Sequence, residues 1–298
     1  MSKKLYKIAS LVALCFSFSA NASADQNSEL RNWETTLKLG GSKQIIGFDT
    51  PAAHSILEWN SDTIDIGLDL KYNISDKVFG VLEYNYSKIK GGSSIDDDIT
   101  NGDGAYSSHG VDGRTNDYKL NFGYKVYDPG MLSLFTTAGI FYKDAKVTST
   151  DGTANYAPYS FEGYGQQTNS KYYGAMLGLK LESKTTNTKS FIQADLLIPV
   201  RYEGDQIWYG RDPDLHWRLR NNKNISGDYG FRIKAEHGYK IKNSFIKYAK
   251  LYTYYEEIEF DGLTESEPGW KVKGGSPGSV VEGSAEYKSF GAGVALEF

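Results

Sequence analysis

Between Asp117 and Tyr127 the chain alternates without a break, with Tyr118, Leu120, Phe122, Tyr124 and Val126 on one face and Lys119, Asn121, Gly123 and Lys125 on the other. A period of two fixes extended backbone, because successive side chains of a strand leave opposite faces. The same pattern runs through Thr63–Tyr72, where Ile64, Ile66, Leu68, Leu70 and Tyr72 oppose Asp65, Gly67, Asp69 and Lys71. It returns at the C-terminus, where Phe290, Ala292, Val294, Leu296 and Phe298 oppose Gly291, Gly293, Ala295 and Glu297. The chain is therefore read as all-β. A soluble sandwich with one wet face would alternate in the same way, so the alternation alone does not decide between sandwich and barrel.

Three further features decide it. The 23 tyrosines, against 3 methionines and 7 prolines, cluster near the ends of the alternating segments. Aromatic girdles at two membrane interfaces have that distribution. The longest apolar stretch, Ile8 to Ala20, is too short to cross a bilayer as a helix, follows Lys3, Lys4 and Lys7, and runs into Ala22-Ser23-Ala24. A basic region, an apolar region and a small-x-small site make residues 1–24 a secretory signal peptide, with 25–298 as the exported domain. Ending on an alternating strand with Phe298 resembles the assembly signal of bacterial outer-membrane barrels. Removing the leader takes away three lysines, which leaves 30 basic against 37 acidic residues, net −7, and no cysteine. Disulfides and thiolate metal sites are thereby excluded from the exported domain, and no basic excess points to nucleic acid.

The alternation places strands near 33–46, 54–74, 77–90, 116–127, 131–148, 170–183, 189–204, 227–241, 244–260 and 283–298. Ten is an even number, as a closed single-chain antiparallel barrel requires. Short connections at Ser75-Asp76, Asp128-Pro129-Gly130, Lys184–Thr188 and Lys242-Asn243 alternate with longer ones near 91–115, 149–169, 205–226 and 261–282, and a shorter one at 47–53. The expected fold is a ten-stranded antiparallel transmembrane β-barrel with its long extracellular loops at one rim.

Two acidic constellations fall on that rim. Gly91-Gly92-Ser93-Ser94-Ile95-Asp96-Asp97-Asp98 follows the third strand, and Arg211-Asp212-Pro213-Asp214-Leu215-His216-Trp217 lies in the fourth outer loop. On extended backbone Asp96 and Asp98 share a face, and so do Asp212, Asp214 and His216. His216 titrates near neutral pH and suits a general base for an attacking water. Asp214 would orient its ring and stabilise the imidazolium, as the carboxylate of a serine-protease triad does. Asp96 and Asp98 would hold the water from across the cleft. A calcium loop counted from Asp96 fails, because its glycine position falls on Asn101. His216, Asp214 and Asp212 could offer metal ligands, but no recognised spacing supports a metal. The remaining histidines, His54, His109 and His237, lack carboxylates two residues away and read as structural or solvated.

With these residues in place, the pattern resembles the omptin family of outer-membrane aspartate/histidine proteases. The likeness covers nearly the whole exported chain. It is carried by Gly91-Gly92 with Asp96-Asp97-Asp98, by Asp212-Pro213-Asp214-Leu215-His216, and by the second-strand segment Ser55-Ile56-Leu57-Glu58-Trp59. The resemblance implies a surface endopeptidase with Asp214 and His216 as the catalytic dyad and Asp96 and Asp98 as the second carboxylate couple. Asp212 would line a pocket for a basic side chain. It implies no metal or organic cofactor, lipopolysaccharide as an activator, exposed cationic peptides as substrates, and a bacterial outer membrane with the site facing outside. A monomer is the default for such a barrel. Basic residues available to lipid phosphates are Lys143, Lys146, Lys171 and Arg201.

The sequence departs from the family pattern at two points. Ile99 stands where a tryptophan usually follows the second aspartate, and Ser42–Ile46 offers no acid for the far wall of the basic pocket. The alternative of another class is a catalytically idle barrel of the same fold, used as an adhesin or scaffold. A passive porin is disfavoured, because barrels this narrow fill with side chains.

Overall fold

The computed structural model describes residues 32–50, 55–98, 104–108, 110–156, 159–209, 215–220, 229–242, 245–265 and 282–298. Residues 1–24, expected to be a signal peptide, and Asp212, Asp214, His54 and His109 lie outside them. The elements are β1 (Trp33–Thr50), β2 (Ser55–Asn73), β3 (Val78–Asp98), β4 (Gly104–Ser108), β5 (Val111–Tyr127), β6 (Leu132–Tyr156), β7 (Tyr159–Lys184), β8 (Thr188–Tyr209), β9 (Leu215–Arg220), β10 (Tyr229–Lys240), β11 (Tyr248–Glu265) and β12 (Glu282–Glu297). All pair antiparallel with their neighbours. β4 and β5 are two segments of one stave between β3 and β6, and β9 and β10 form another between β8 and β11. β12 pairs with β1 and closes a ring of ten staves.

The strands run further than the hydrophobic pattern indicates. β3 reaches Asp98, and β6 and β7 meet in a hairpin at Tyr156↔Tyr159 where a long loop over 149–169 was expected. Ladder hydrogen bonds continue past the last apolar residue because backbone pairing does not depend on which side chains face out. The barrel wall therefore stands well above the apolar belt on the long-loop side.

Inside and outside are inverted relative to a soluble sandwich. Every stave exposes a large apolar residue: Leu39, Ile64, Leu82, Leu120, Ile140, Leu179, Leu196, Ile233, Leu251 and Val294. On β5, Phe122 is 49% exposed while its neighbour Lys119 is 2% exposed. An exposed apolar ring of this extent is stable only against hydrocarbon. At its upper edge Tyr84, Tyr118, Tyr142 and Tyr173 sit directly opposite one another across β3, β5, β6 and β7. Their ring centroids are 4.9, 5.9 and 4.8 Å apart. Arg201 continues the row beside Tyr173. Above it the outward positions turn charged, with Lys43, Asp62, Lys90, Arg114 and Lys146 exposed.

The lumen is filled in two layers. Nearer the short turns is an ionic lattice. Arg232 bonds Asp195 at 2.8 Å and Glu83 at 3.1 Å, Lys234 lies 3.3 Å from Asp69, Lys119 bonds Glu256 at 2.8 Å, and Lys250 bonds Glu297 at 2.6 Å. Above it is an apolar layer of Ile46, Trp59, Ile89, Val147, Tyr172, Tyr202, Ile258, Phe260 and Tyr287, all essentially inaccessible. Two lumen cavities of about 40 and 50 Å³ have room for little more than water. A wide aqueous pore is absent among the described residues, in line with the narrow-barrel expectation.

Removing one member of a buried ion pair strands the other in low dielectric, at a cost of about 3–5 kcal/mol. Arg232→Met, which leaves Asp195 and Glu83 without their shared cation, is expected to lower the urea midpoint of the refolded barrel accordingly. Exposed Lys90→Met should leave the midpoint unchanged.

Candidate active site

The site begins with a fault in the β2–β3 ladder. Thr63 pairs with Ile89 and Ser61 pairs with Gly92, so β3 carries one extra residue across this step. Gly91 and Gly92 absorb it with φ of 110° and 131°, a region that residues with a Cβ enter only under strain. A Cβ on Gly92 would also stand 2.1 Å from the carbonyl oxygen of Asn60. The pair is thus a glycine bulge within a strand.

The bulge shifts the alternation of β3 by one residue. Below it the buried residues of β3 are odd-numbered: Glu83, Ser87 and Ile89. Above it even-numbered Gly92 and Ser94 pair with buried Ser61 and Trp59. The ladder continues in that register to Asp96 and Asp98, opposite Leu57 and Ser55 on β2 and opposite Tyr106 and Gly104 on β4.

His216 lies on β9, five staves from β3 in the ring of ten, and hence on the opposite wall. It pairs with Ile207 of β8. Further along the same ladder Trp217 pairs with Gln206 and Leu219 with Gly204. Asp212 and Asp214 immediately precede β9 in the chain, outside the described residues.

Below this rim, the lumen side of β1 is neutral over residues 42–46. Ser42 and Gln44 are buried there, Ser42 Oγ lies 2.6 Å from Thr63 Oγ1, and Thr115 Oγ1 donates to Gln44 Oε1 at 2.8 Å. Thr63 donates to Asp65 at 2.6 Å, and Tyr254 donates to the other Asp65 oxygen at 3.4 Å. These groups satisfy one another beneath Ile46 and Trp59. Trp59 Nε1 itself donates across the barrel to Thr168 Oγ1 at 3.0 Å.

Lys143 is not available to lipid phosphates. It points into the lumen, pairs with Glu256 and sits over the Tyr287 ring. Lys146 and Arg201 are exposed on the outer wall, and half-buried Lys171 follows the same outward alternation. Among the described residues, one acidic trio is close enough to share an ion: Glu257, Glu259 and Glu286, on the outer face of β11 and β12. Lys288 already bonds two of its members.

Comparison with known proteins separates fold from sequence. No family model matches the chain, and no curated protein matches it. Among solved structures, the outer membrane protease OmpT from Escherichia coli superposes with a TM-score of 0.77 over 93% of this chain and 100% of that one, at 12% identity. The fold is that of a ten-stranded outer-membrane barrel. The translocator domain of the autotransporter NalP from Neisseria meningitidis (TM-score 0.36, 9% identity, 100% and 98% coverage) and a FadL homologue from Pseudomonas aeruginosa (0.34, 8%, 90% and 90%) are much more distant in shape.

The bulge yields a ranking. Gly92→Ala combines disfavoured φ with backbone overlap, whereas a Cβ on Gly91 meets nothing within 4 Å. Gly92→Ala is expected to cost about 1–3 kcal/mol from backbone strain alone, and more than Gly91→Ala, in matched urea titrations. Equal losses would remove the close approach as the reason for glycine at 92.

Proposed function

We propose that this protein is an outer-membrane surface endopeptidase. The observation that carries the reading is the glycine bulge in β3, which shifts by one residue the ladder that runs on to Asp96 and Asp98, on the stave across the ring from β9. The OmpT-like barrel and the Asp-x-Asp-x-His run support it.

In this reading His216 takes the proton of a water, Asp214 orients the imidazole, and Asp96 and Asp98 hold the water from across the cleft as it attacks a peptide carbonyl. Asp212 lines the pocket before the scissile bond. β9, which carries His216, is paired to β8 on the stave across the ring from β3.

The substrate class follows from charge. An acidic mouth concentrates cationic peptides, and cleavage near basic residues fits Asp212. Ser42 and Gln44 leave the β1 wall neutral, so selectivity for arginine should be weaker than a pocket with two acids would give. The reading includes lipopolysaccharide as activator, with Lys146, Lys171 and Arg201 beside the tyrosine row as its phosphate contacts, a site open to the outside, and a monomeric barrel.

The alternative reading is an idle barrel serving as adhesin or scaffold. The test is cleavage of quenched peptides with an Arg-Arg or Lys-Lys bond by refolded barrel with rough lipopolysaccharide. Wild type should cleave, and His216→Ala should lose about 10²–10⁴-fold in kcat, the usual worth of a general base. Activity should fall as pH drops through about 6.5, where an ordinary imidazole protonates. No cleavage of these peptides or of a mixed library would establish the idle barrel. Equal cleavage by His216→Ala would remove the dyad.

A further inference from the structure

At the short-turn end of the barrel the membrane-facing wall carries a polar interruption that neither the peptidase reading nor the barrel fold uses. Ser183, Ser190 and His237 stand directly opposite one another on β7, β8 and β10, flanked in the same row by Leu132 and Leu251. His237 Nδ1 and Ser190 Oγ are 2.7 Å apart. His237 is exposed on the outward face, between the apolar belt and Tyr239, whose ring meets the imidazole edge-on at 4.9 Å. No carboxylate contacts the imidazole among the described residues, and its Nε2 has no protein partner there. A lone exposed imidazole in a lipid-facing wall is costly unless something polar meets it.

The row opens onto a groove of about 470 Å³ walled by Leu132, Leu181, Ile192 and Leu251. Ala235, directly between Ile192 and Thr253, gives it its floor. Its volume lies within the usual range of about 300–1,000 Å³ for small-molecule sites. An apolar slot in the lipid-facing belt with a hydrogen-bonding pair at its head matches the order of groups in a glycerophospholipid: acyl chain, then the polar ester, glycerol and phosphate.

We propose that this wall binds one glycerophospholipid of the periplasmic leaflet. An acyl chain lies over Ala235, and Ser190 and His237 meet the ester and phosphate oxygens. The proposal rests on the membrane placement of the belt and is independent of whether the barrel cleaves peptides.

The test is native mass spectrometry of the full exported barrel, released from detergent after titration with phosphatidylglycerol. Wild type should retain one lipid per barrel. Ala235→Phe, which fills the floor, should abolish retention. His237→Leu should weaken it by about tenfold or more, the loss of one hydrogen bond to a charged group. Both variants should keep the heat-modifiable gel mobility of a closed barrel and wild-type peptide cleavage. Equal retention by all three proteins, retention of a free fatty acid as readily as phosphatidylglycerol, or a dimer that excludes lipid would each overturn the proposal.

Discussion

A strand in hydrocarbon has no water for its backbone, so every N–H and C=O must find a partner in the sheet itself, and only closure leaves no edge unpaired. The β1–β12 ladder, Thr36↔Glu297 through Asp49↔Ser284, is where this chain meets that constraint. Other features depend on it. Closure at ten staves fixes a lumen too narrow to stay wet, and side chains must fill it. The outward alternation is given over to lipid, so the inward one holds the charges, and those charges must pair with one another. The Arg232–Asp195–Glu83 and Lys119–Glu256–Lys143 groups are the consequence. Such pairs add little over a well-packed apolar core, but each is expensive to break singly.

The candidate site lies where the constraint relaxes. Above the tyrosine row the wall continues as paired strands whose outward positions are charged. There the glycine bulge shifts the alternation of β3 by one residue before the strand runs on to Asp96 and Asp98. On the stave across the ring, β9 carries His216 in the β8 ladder. Strand register thus governs how the two parts of the candidate site are presented.

Much of this was legible in the sequence. The alternation at 63–72, 117–127 and 290–298 gave the faces correctly, but period two cannot say which face is wet. The placement of the tyrosines bears on that. Strand ends above the belt were missed because alternation needs contrast: in Asp144-Ala145-Lys146-Val147-Thr148-Ser149 the outward face has become polar. Lys143 was grouped with lipid-facing cations although counting in twos from exposed Ile140 places it inside. Gly91-Gly92 was visible as a motif but not as a bulge; two glycines inside a strand are the signal that would have shown it. The Ser190–His237 pair could not be read at all, since its partners are 47 residues apart and meet only through the β8–β10 register.

Whether β3 and β9 act on one reaction centre is tested most directly by a double-mutant cycle in peptide hydrolysis with Asp96→Asn, His216→Ala and both together. If the two residues serve one activated water, each single change removes most of the rate and the pair together loses scarcely more than the worse single, because groups that act as a unit are strongly non-additive. Losses that multiply as independent factors, or a rate that survives Asp96→Asn unchanged, would contradict a shared centre between the two walls.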